Sequence, residues 1–338
     1  MTADTAEQIR QMDEEQVLSM YRRMLFYRRF EERVNMAYTK QKFSGFCHLH
    51  IGQEAVCVGL GSCTRPDDLI ISGYRSHTQA IEKGIPPGEV FAELLGKVTG
   101  CARGKGGSMH MFSQQHGFYG GHGIVGGQAP IAVGAAFALK YQNLDSNMVC
   151  YLGDAAMNQG QVYEAMNMAA TWELPVLFVI ENNRYGMGTD IRRTTSIESL
   201  YKRALAFDMA SSQVDGMNVI QVYQHSRPIM EQMRKDRKPH LLEALTYRYK
   251  GHSVSDPGNY RTKEELQEYQ ERDPLLTLAA AMKNLNLADD ARLKEWDQEA
   301  RSKAKEAEKF ADDSPISDES ETWEHVFAEA KTSSVTSC

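Results

Sequence analysis

The first long periodic segment covers residues 13–40. Val17, Met20, Tyr21, Met24, Leu25 and Tyr27 recur there at roughly helical spacing, which predicts an amphipathic helix. A second helix is expected to begin near Gln53, and Leu69–Ser72 is short and apolar enough to be a strand. Farther on the pattern alternates. Residues 128–142 predict an Ala-rich helix, Met148–Leu152 a buried strand, Gln159–Trp172 a helix and Val176–Ile180 a second buried strand. A helix near Ser199–Phe207, a strand near Ala210–Val214, a helix over 218–235 and a strand over Leu241–Tyr247 follow. Short apolar strands separated by helices imply a parallel sheet covered on both faces. The expected class is α/β, a doubly wound parallel sheet with helices on both faces and helical N- and C-terminal extensions. The segments are 1–45 for the N-terminal extension, 46–262 for the α/β domain and 263–338 for a polar, helical C-terminal region.

Between Gly100 and Gly127 glycine becomes dense, with His110, His116 and His122 interspersed. Regular structure is not expected there, and the backbone is free to approach another group closely. Gly121–Gly126 matches G-x-G-x-x-G literally. A dinucleotide fingerprint needs a strand directly before it, and Phe112–Tyr119 is too polar for a buried one, so a nicotinamide site is set aside. Gly104–Ser108 fails the spacing of a phosphate-binding P-loop.

Composition narrows the function classes. The chain has 338 residues, 42% hydrophobic and 25% charged, with a formal charge of -7. This balance argues against a general grip on nucleic acid or anionic membrane. No stretch approaches the roughly 18 apolar residues needed to cross a bilayer. The six cysteines form no C-x-x-C pair, which points to a reducing compartment and away from a disulfide framework. Met1 to Gln16 carries neither an apolar signal core nor an Arg-rich presequence. The expected location is bacterial cytoplasm or, for a mature chain, the mitochondrial matrix.

Chemistry concentrates at two strand ends, where doubly wound sheets bind ligands. Met148–Leu152 runs into Gly153-Asp154-Ala155-Ala156, and Val176–Ile180 into Glu181-Asn182-Asn183-Arg184-Tyr185-Gly186. Asp154 and Asn183 lie 29 positions apart, one helix and one strand, which places them side by side. Mg²⁺ takes about six hard oxygen ligands, few of them from protein. Asp154 offers a carboxylate, Asn183 an amide oxygen and Tyr185 its carbonyl, and a diphosphate and water would complete the set. Backbone N–H groups after Asp154 would take remaining phosphate charge.

Gly-Asp, some 25 intervening residues, then Asn-Asn resembles the signature of thiamine diphosphate enzymes. "FCHLHIGQEA", "GYRSHTQAI", "RGKGGSMHMF", "GIVGGQAP", "GQVYEAMNMAATWELPVLFVIENNRYGMGT" and "YRYKGHSVSDPGNYRT" look like the pyruvate dehydrogenase alpha subunits, members of the thiamine-diphosphate-dependent 2-oxo acid dehydrogenase family. The resemblance runs in order from about residue 20 to 310. It implies oxidative decarboxylation of pyruvate with acetyl transfer to lipoamide; alpha subunits for branched-chain 2-oxo acids or acetoin are the nearest alternatives. It also implies thiamine diphosphate and Mg²⁺ as cofactors. Tyr74, Arg75, Ala155, Ala156 and His252 would hold the diphosphate end, and Gly123 and Val125 the aminopyrimidine end around Ile124. Asp154, Asn183 and Tyr185 would be the metal ligands.

His48 and His252 sit in matching segments and are expected to bind substrate carboxylate and carry protons. His77 is left open between a functional and a structural role, and His50 and His110 receive none. The family's glutamate on the pyrimidine ring has no match here. In two-subunit members it comes from the beta subunit, which implies a heterotetramer of two alpha and two beta chains docked on a lipoyl-bearing acyltransferase core. Ala155 departs from the family's glycine: it keeps the backbone donor, adds a methyl group and restricts the backbone. A cofactor-free partner that kept only the fold is the reading this departure hints at. Ser253 and Ser255 lie where mitochondrial relatives are phosphorylated. This loop is shorter, and is read as one ordered by cofactor.

Overall fold

The apolar runs become strands β1 (Leu69–Gly73), β2 (Phe118–His122), β3 (Met148–Gly153) and β4 (Val176–Asn182). After a two-residue antiparallel ladder, β5 (Tyr185–Gly186) with β6 (Thr189–Asp190), come β7 (Ala210–Asp215) and β8 (His240–Leu245). In the computed structural model, which describes residues 3–324, the six longer strands form one sheet in the order β2-β1-β3-β4-β8-β7. Every neighbouring pair is parallel.

Period-two geometry sends alternate residues to opposite faces. In β3, Val149 and Tyr151 enter one hydrophobic core while Met148, Cys150 and Leu152 enter the other. Leu177 and Val179 of β4 alternate with Val176, Phe178 and Ile180 in the same way. This is why both strands read as unbroken apolar runs. One face is covered by α6 (Gln128–Tyr141), α7 (Gly160–Thr171) and a 3₁₀ helix, Leu200–Phe207. The other is covered by α2 (Glu14–Thr39), α3 (Glu54–Gly61), α5 (Pro87–Leu94) and α8 (Val219–Asp236), with α1 (Ala3–Arg10) and α4 (His77–Glu82) alongside. The C-terminal region supplies α9 (Lys263–Glu271), α10 (Pro274–Asn284) and α11 (Asp290–Asp313). Cap chemistry fixes the start of α2, where the Asp13 side chain accepts from the Gln16 N–H at 3.1 Å.

The glycine-rich stretch holds a correction. Phe118–His122 is a strand, paired with β1 through Ile70↔Phe118 and Ser72↔Gly121. It tolerates glycine because it is the sheet's edge and packs through Phe118 on one core and Tyr119 on the other. A strand therefore does lead into Gly121–Gly126, but it is the glycine-containing edge strand of the sheet and not the central buried strand from which a dinucleotide fingerprint departs. Residues 1–2 and 325–338, including the end of the expected C-terminal tail and Cys338, lie outside the described residues. Among those described, no helix is long and apolar enough to cross a membrane.

Candidate active site

In the order β2-β1-β3 the connection after β1 runs to one side and the next crosses back past β1 to the other, so a crevice opens between β1 and β3 at their carboxyl ends. A cavity of about 280 Å³ lies there. Tyr74 and Arg75 line it from the end of β1, Asp154, Ala155 and Ala156 from the end of β3, and Glu181, Asn183 and Tyr185 from the end of β4. Gln53, Val125, Gln128 and Arg248 line it as well.

Parallel register sets Gly153 against Glu181, so the chain leaves the sheet with Asp154 and Asn183 on neighbouring strands. Asp154 is only 2% exposed, and its Oδ2 has no partner. Burial pushes its carboxyl up to about 6, while the Arg248 guanidinium works in the opposite sense. The oxygens beside it are organised by that same arginine. Arg248 Nη1 donates to the Tyr185 carbonyl at 2.7 Å and to Asn183 Oδ1 at 3.3 Å. Asn183 Nδ2 donates to Gln53 Oε1 at 3.0 Å. Gln53 Nε2 and Gln128 Oε1 are buried and unpartnered. Native interiors rarely leave such groups unsatisfied, so several orphans around one cavity fit a polar ligand. Among the described residues no group of three or more His, Cys, Asp or Glu could hold a metal. One carboxylate with an amide and a carbonyl instead suits a hard cation that takes its remaining oxygens from a bound phosphate.

The methyl of Ala155 has a place. Ala155 begins a short 3₁₀ helix, Ala155–Asn158, and does not need the left-handed backbone glycine supplies. A Cβ built at Gly186 would overlap the Ala155 methyl, so the bare Gly186 provides its room. Arg184 does sit in the left-handed region, at φ 74°. That conformation costs about 1 kcal/mol for a residue with a side chain and is held by its neighbours.

Arg75 lines the cavity, yet both its terminal nitrogens are engaged elsewhere. Nη1 donates to the Leu49 carbonyl and Nη2 to the His252 carbonyl at 2.9 Å. One guanidinium thus ties together the two loops that carry His48 and His252. Their rings stand 5.0 Å apart, flanking Tyr74 at 4.4 and 5.5 Å. Burial, reinforced by the positive Arg75, lowers His48 to about 2 and His252 to about 4. Both are neutral near pH 7, and the Nδ1 of each is unpartnered.

His77 is fully buried behind them. Its Nδ1 lies 3.0 Å from Glu31 Oε2 and its Nε2 2.8 Å from Ser108 Oγ, which makes it part of the scaffold. His50 is buried against Glu181 Oε1 at 2.7 Å.

Val125 lines the cavity, and its carbonyl accepts from Gln161 at 3.0 Å; Ile124 is 75% exposed, and Gly123 is not part of the lining. Upstream, the glycines wrap a side chain of the protein itself. The Glu93 carboxylate accepts from the N–H groups of Ala102, Gly104, Gly106 and Gly107 at 2.7–3.1 Å. Asp256 staples the loop after β8 by accepting from the His252 N–H at 2.5 Å, the Gly258 N–H at 2.9 Å and the Tyr260 hydroxyl at 2.8 Å. Ser253 is buried, with Ser255 at 3.0 Å. Gln53, Gln128 and Arg248 escaped the sequence reading. Arg248 alone carried a signal, as a cation in an otherwise aromatic strand end, Tyr247-Arg248-Tyr249.

Residues 22–320 match the family described as dehydrogenase E1 component. The chain is 46% identical over 313 residues to the pyruvate dehydrogenase E1 component subunit alpha of Rickettsia felis, covering 93% of this chain and 96% of that one. It is 46% identical over 318 residues to the protein of the same name from Zymomonas mobilis, covering 93% and 89%. The mitochondrial protein of Sminthopsis macroura is 44% identical over 316 residues, covering 93% and 86%.

Proposed function

The chain belongs to the dehydrogenase E1 component family, and from that premise we propose that it is the α chain of a thiamine-diphosphate-dependent pyruvate dehydrogenase, which decarboxylates pyruvate oxidatively and passes the acetyl group to lipoamide. The observation that carries the reading is the switch-point cavity, where Asp154 keeps an unpartnered carboxylate oxygen beside the oxygens of Asn183 and Tyr185. Asp154, Asn183 and the Tyr185 carbonyl would hold Mg²⁺. Tyr74, Arg75, Arg248, His252 and the backbone N–H groups of Ala155 and Ala156 would face the diphosphate, with Gly123 and Val125 at the other end of the cofactor. When bound, thiamine diphosphate would supply a thiazolium carbon able to add to the carbonyl of a 2-oxo acid and a cationic ring able to take up the electron pair left as carbon dioxide departs.

The remaining work falls to side chains of this chain. His48 and His252 are neutral and offer hydrogen bonds to a substrate carboxylate. An anion arriving beside Arg75 and Arg248 offsets the positive charge that helps hold both rings neutral, and so raises them toward the range where imidazole carries a proton. Arg75 keeps the two histidine loops at a fixed spacing.

A partner is supported by α6. Pro130, Ile131, Gly134, Phe137, Ala138 and Tyr141 form an exposed face with little charge, continued by Met168 of α7 and by Trp172, which caps that helix. A helix apolar all round is normally buried, and a β subunit is the occupant we propose. The assembly would be a heterotetramer on a lipoyl-bearing acyltransferase core. The test is reduction of an artificial acceptor by this chain co-purified with its β subunit, with pyruvate, 2-oxoisovalerate and acetoin compared. Activity that needs both thiamine diphosphate and Mg²⁺ and prefers pyruvate is the expected result. An intact complex that binds no thiamine diphosphate overturns the proposal.

A further inference from the structure

The loop that carries two of the three candidate metal ligands is fastened from outside the cavity. Helix α9 begins at Thr262, whose hydroxyl accepts from the Glu265 N–H at 3.1 Å. Thr-Lys-Glu-Glu is a capping-box sequence, in which the glutamate three residues on ordinarily turns back to the cap's own N–H. The carboxylate of Glu265 reaches across to the Asn182–Gly186 loop instead. The Tyr185 hydroxyl lies 3.0 Å from Oε1 and 2.9 Å from Oε2, and the Tyr247 hydroxyl donates to Oε1 at 3.0 Å. Arg184 Nη1 stands 3.5 Å from the same carboxylate. One turn on, the Tyr269 hydroxyl accepts from Arg184 Nη1 at 3.3 Å, and its ring stacks on Tyr247 at 4.0 Å and 5°.

None of the residues of α9 is fully buried; Leu266 and Tyr269 pack partly against the core, and these polar contacts fix the register of the helix on it. They converge on Arg184 and Tyr185, the two residues that follow Asn183. Arg184 is the residue held in the left-handed region, and its side chain is secured by α9. Tyr185 is gripped from both sides, its carbonyl by Arg248 and its hydroxyl by Glu265.

We infer that Glu265 is a positioning residue for the candidate metal site, holding the Asn182–Gly186 loop rigid so that Asn183 and Tyr185 present their oxygens at fixed separation. The inference rests on the metal reading proposed above. Rigidity has a chemical consequence. Mg²⁺ demands near-octahedral ligands at about 2.0–2.1 Å, whereas Ca²⁺ accepts longer and looser sets. A loosened loop should therefore lose Mg²⁺ affinity first and Ca²⁺ affinity less.

The experiment titrates Mg²⁺ and, separately, Ca²⁺ into the assembled complex at fixed thiamine diphosphate, and follows cofactor binding by calorimetry. Glu265→Ala is expected to weaken the apparent Mg²⁺ affinity roughly tenfold, the scale of lost outer-shell support, and to narrow the Mg²⁺ over Ca²⁺ preference. Glu265→Gln, which keeps an acceptor oxygen, should recover part of both. Should Glu265→Ala not fold, Tyr185→Phe carries the test, because it breaks one contact to Glu265 and leaves the ligating carbonyl in place. Wild-type Mg²⁺ affinity and selectivity in a folded Glu265→Ala or Tyr185→Phe complex overturn the inference while leaving the metal reading intact. A wild-type complex that binds thiamine diphosphate without any divalent cation overturns both.

Discussion

The methyl of Ala155 and the missing side chain of Gly186 share one volume at the cavity wall. Two side chains cannot fill it, so Gly186→Ala is expected to destabilise the chain by about 1–3 kcal/mol, the usual cost of overpacking. Ala155→Gly added to that variant should restore most of the loss, because the methyl in the way is then gone. Thermal midpoints of the two single variants and the double variant decide the matter, and strict additivity would sink the idea of a shared volume. At this scale sequence reasoning found part of the cavity lining, missed Gln53, Gln128 and Arg248, and missed how the residues relate to one another. Asp154 and Asn183 were legible because spacing across one helix and one strand brings them together. That Gly186 accommodates Ala155, or that Arg75 bridges the Leu49 and His252 carbonyls, depends on loops meeting in space and leaves no local pattern.

Helix α6 illustrates a conflict between intrinsic propensity and assembly. Gly134 lies in its middle, exposed, with nothing within 4 Å of where a Cβ would point. Glycine there weakens the helix by about 1 kcal/mol relative to alanine, so Gly134→Ala should stabilise the isolated chain by that order. If the exposed face receives the β subunit, the added methyl pushes the partner away and association weakens. Urea unfolding of the free chain and a dissociation constant for the complex measure the two effects separately; unchanged association would remove α6 from the interface. Among elements, α2 was readable because helical spacing and the Asp13 cap agree. Edge strand β2 was not, because its existence depends on pairing Phe118 with Ile70, 48 positions upstream, which glycine-rich local sequence does not announce.

The whole molecule stores several neutral imidazoles. Burial lowers His48 to about 2 and both His240 and His252 to about 4. Each lies below the unfolded value near 6.5, so the unfolded chain binds more protons as the pH falls. Their stabilisation is complete above about pH 6.5 and is lost on acidification toward the folded values, at up to about 1.4 kcal/mol per pH unit for each ring. Asp154 and Glu82, whose carboxyls are raised by burial, work in the opposite direction. The informative quantity is therefore a difference: His240→Gln should show a flatter fall in urea midpoint between about pH 7 and about pH 5 than the parent chain. Equal slopes would mean that His240 is not held neutral. The sheet order carries a further consequence, for how the chain comes to be made. Central strand β4 pairs with β8 through Leu177↔His240, so one side of the most buried strand stays open until 63 more residues have been synthesised. Distant parallel pairings of this kind close slowly and expose sticky intermediates meanwhile. A nascent chain would leave the ribosome with its middle unfinished and that strand edge uncovered.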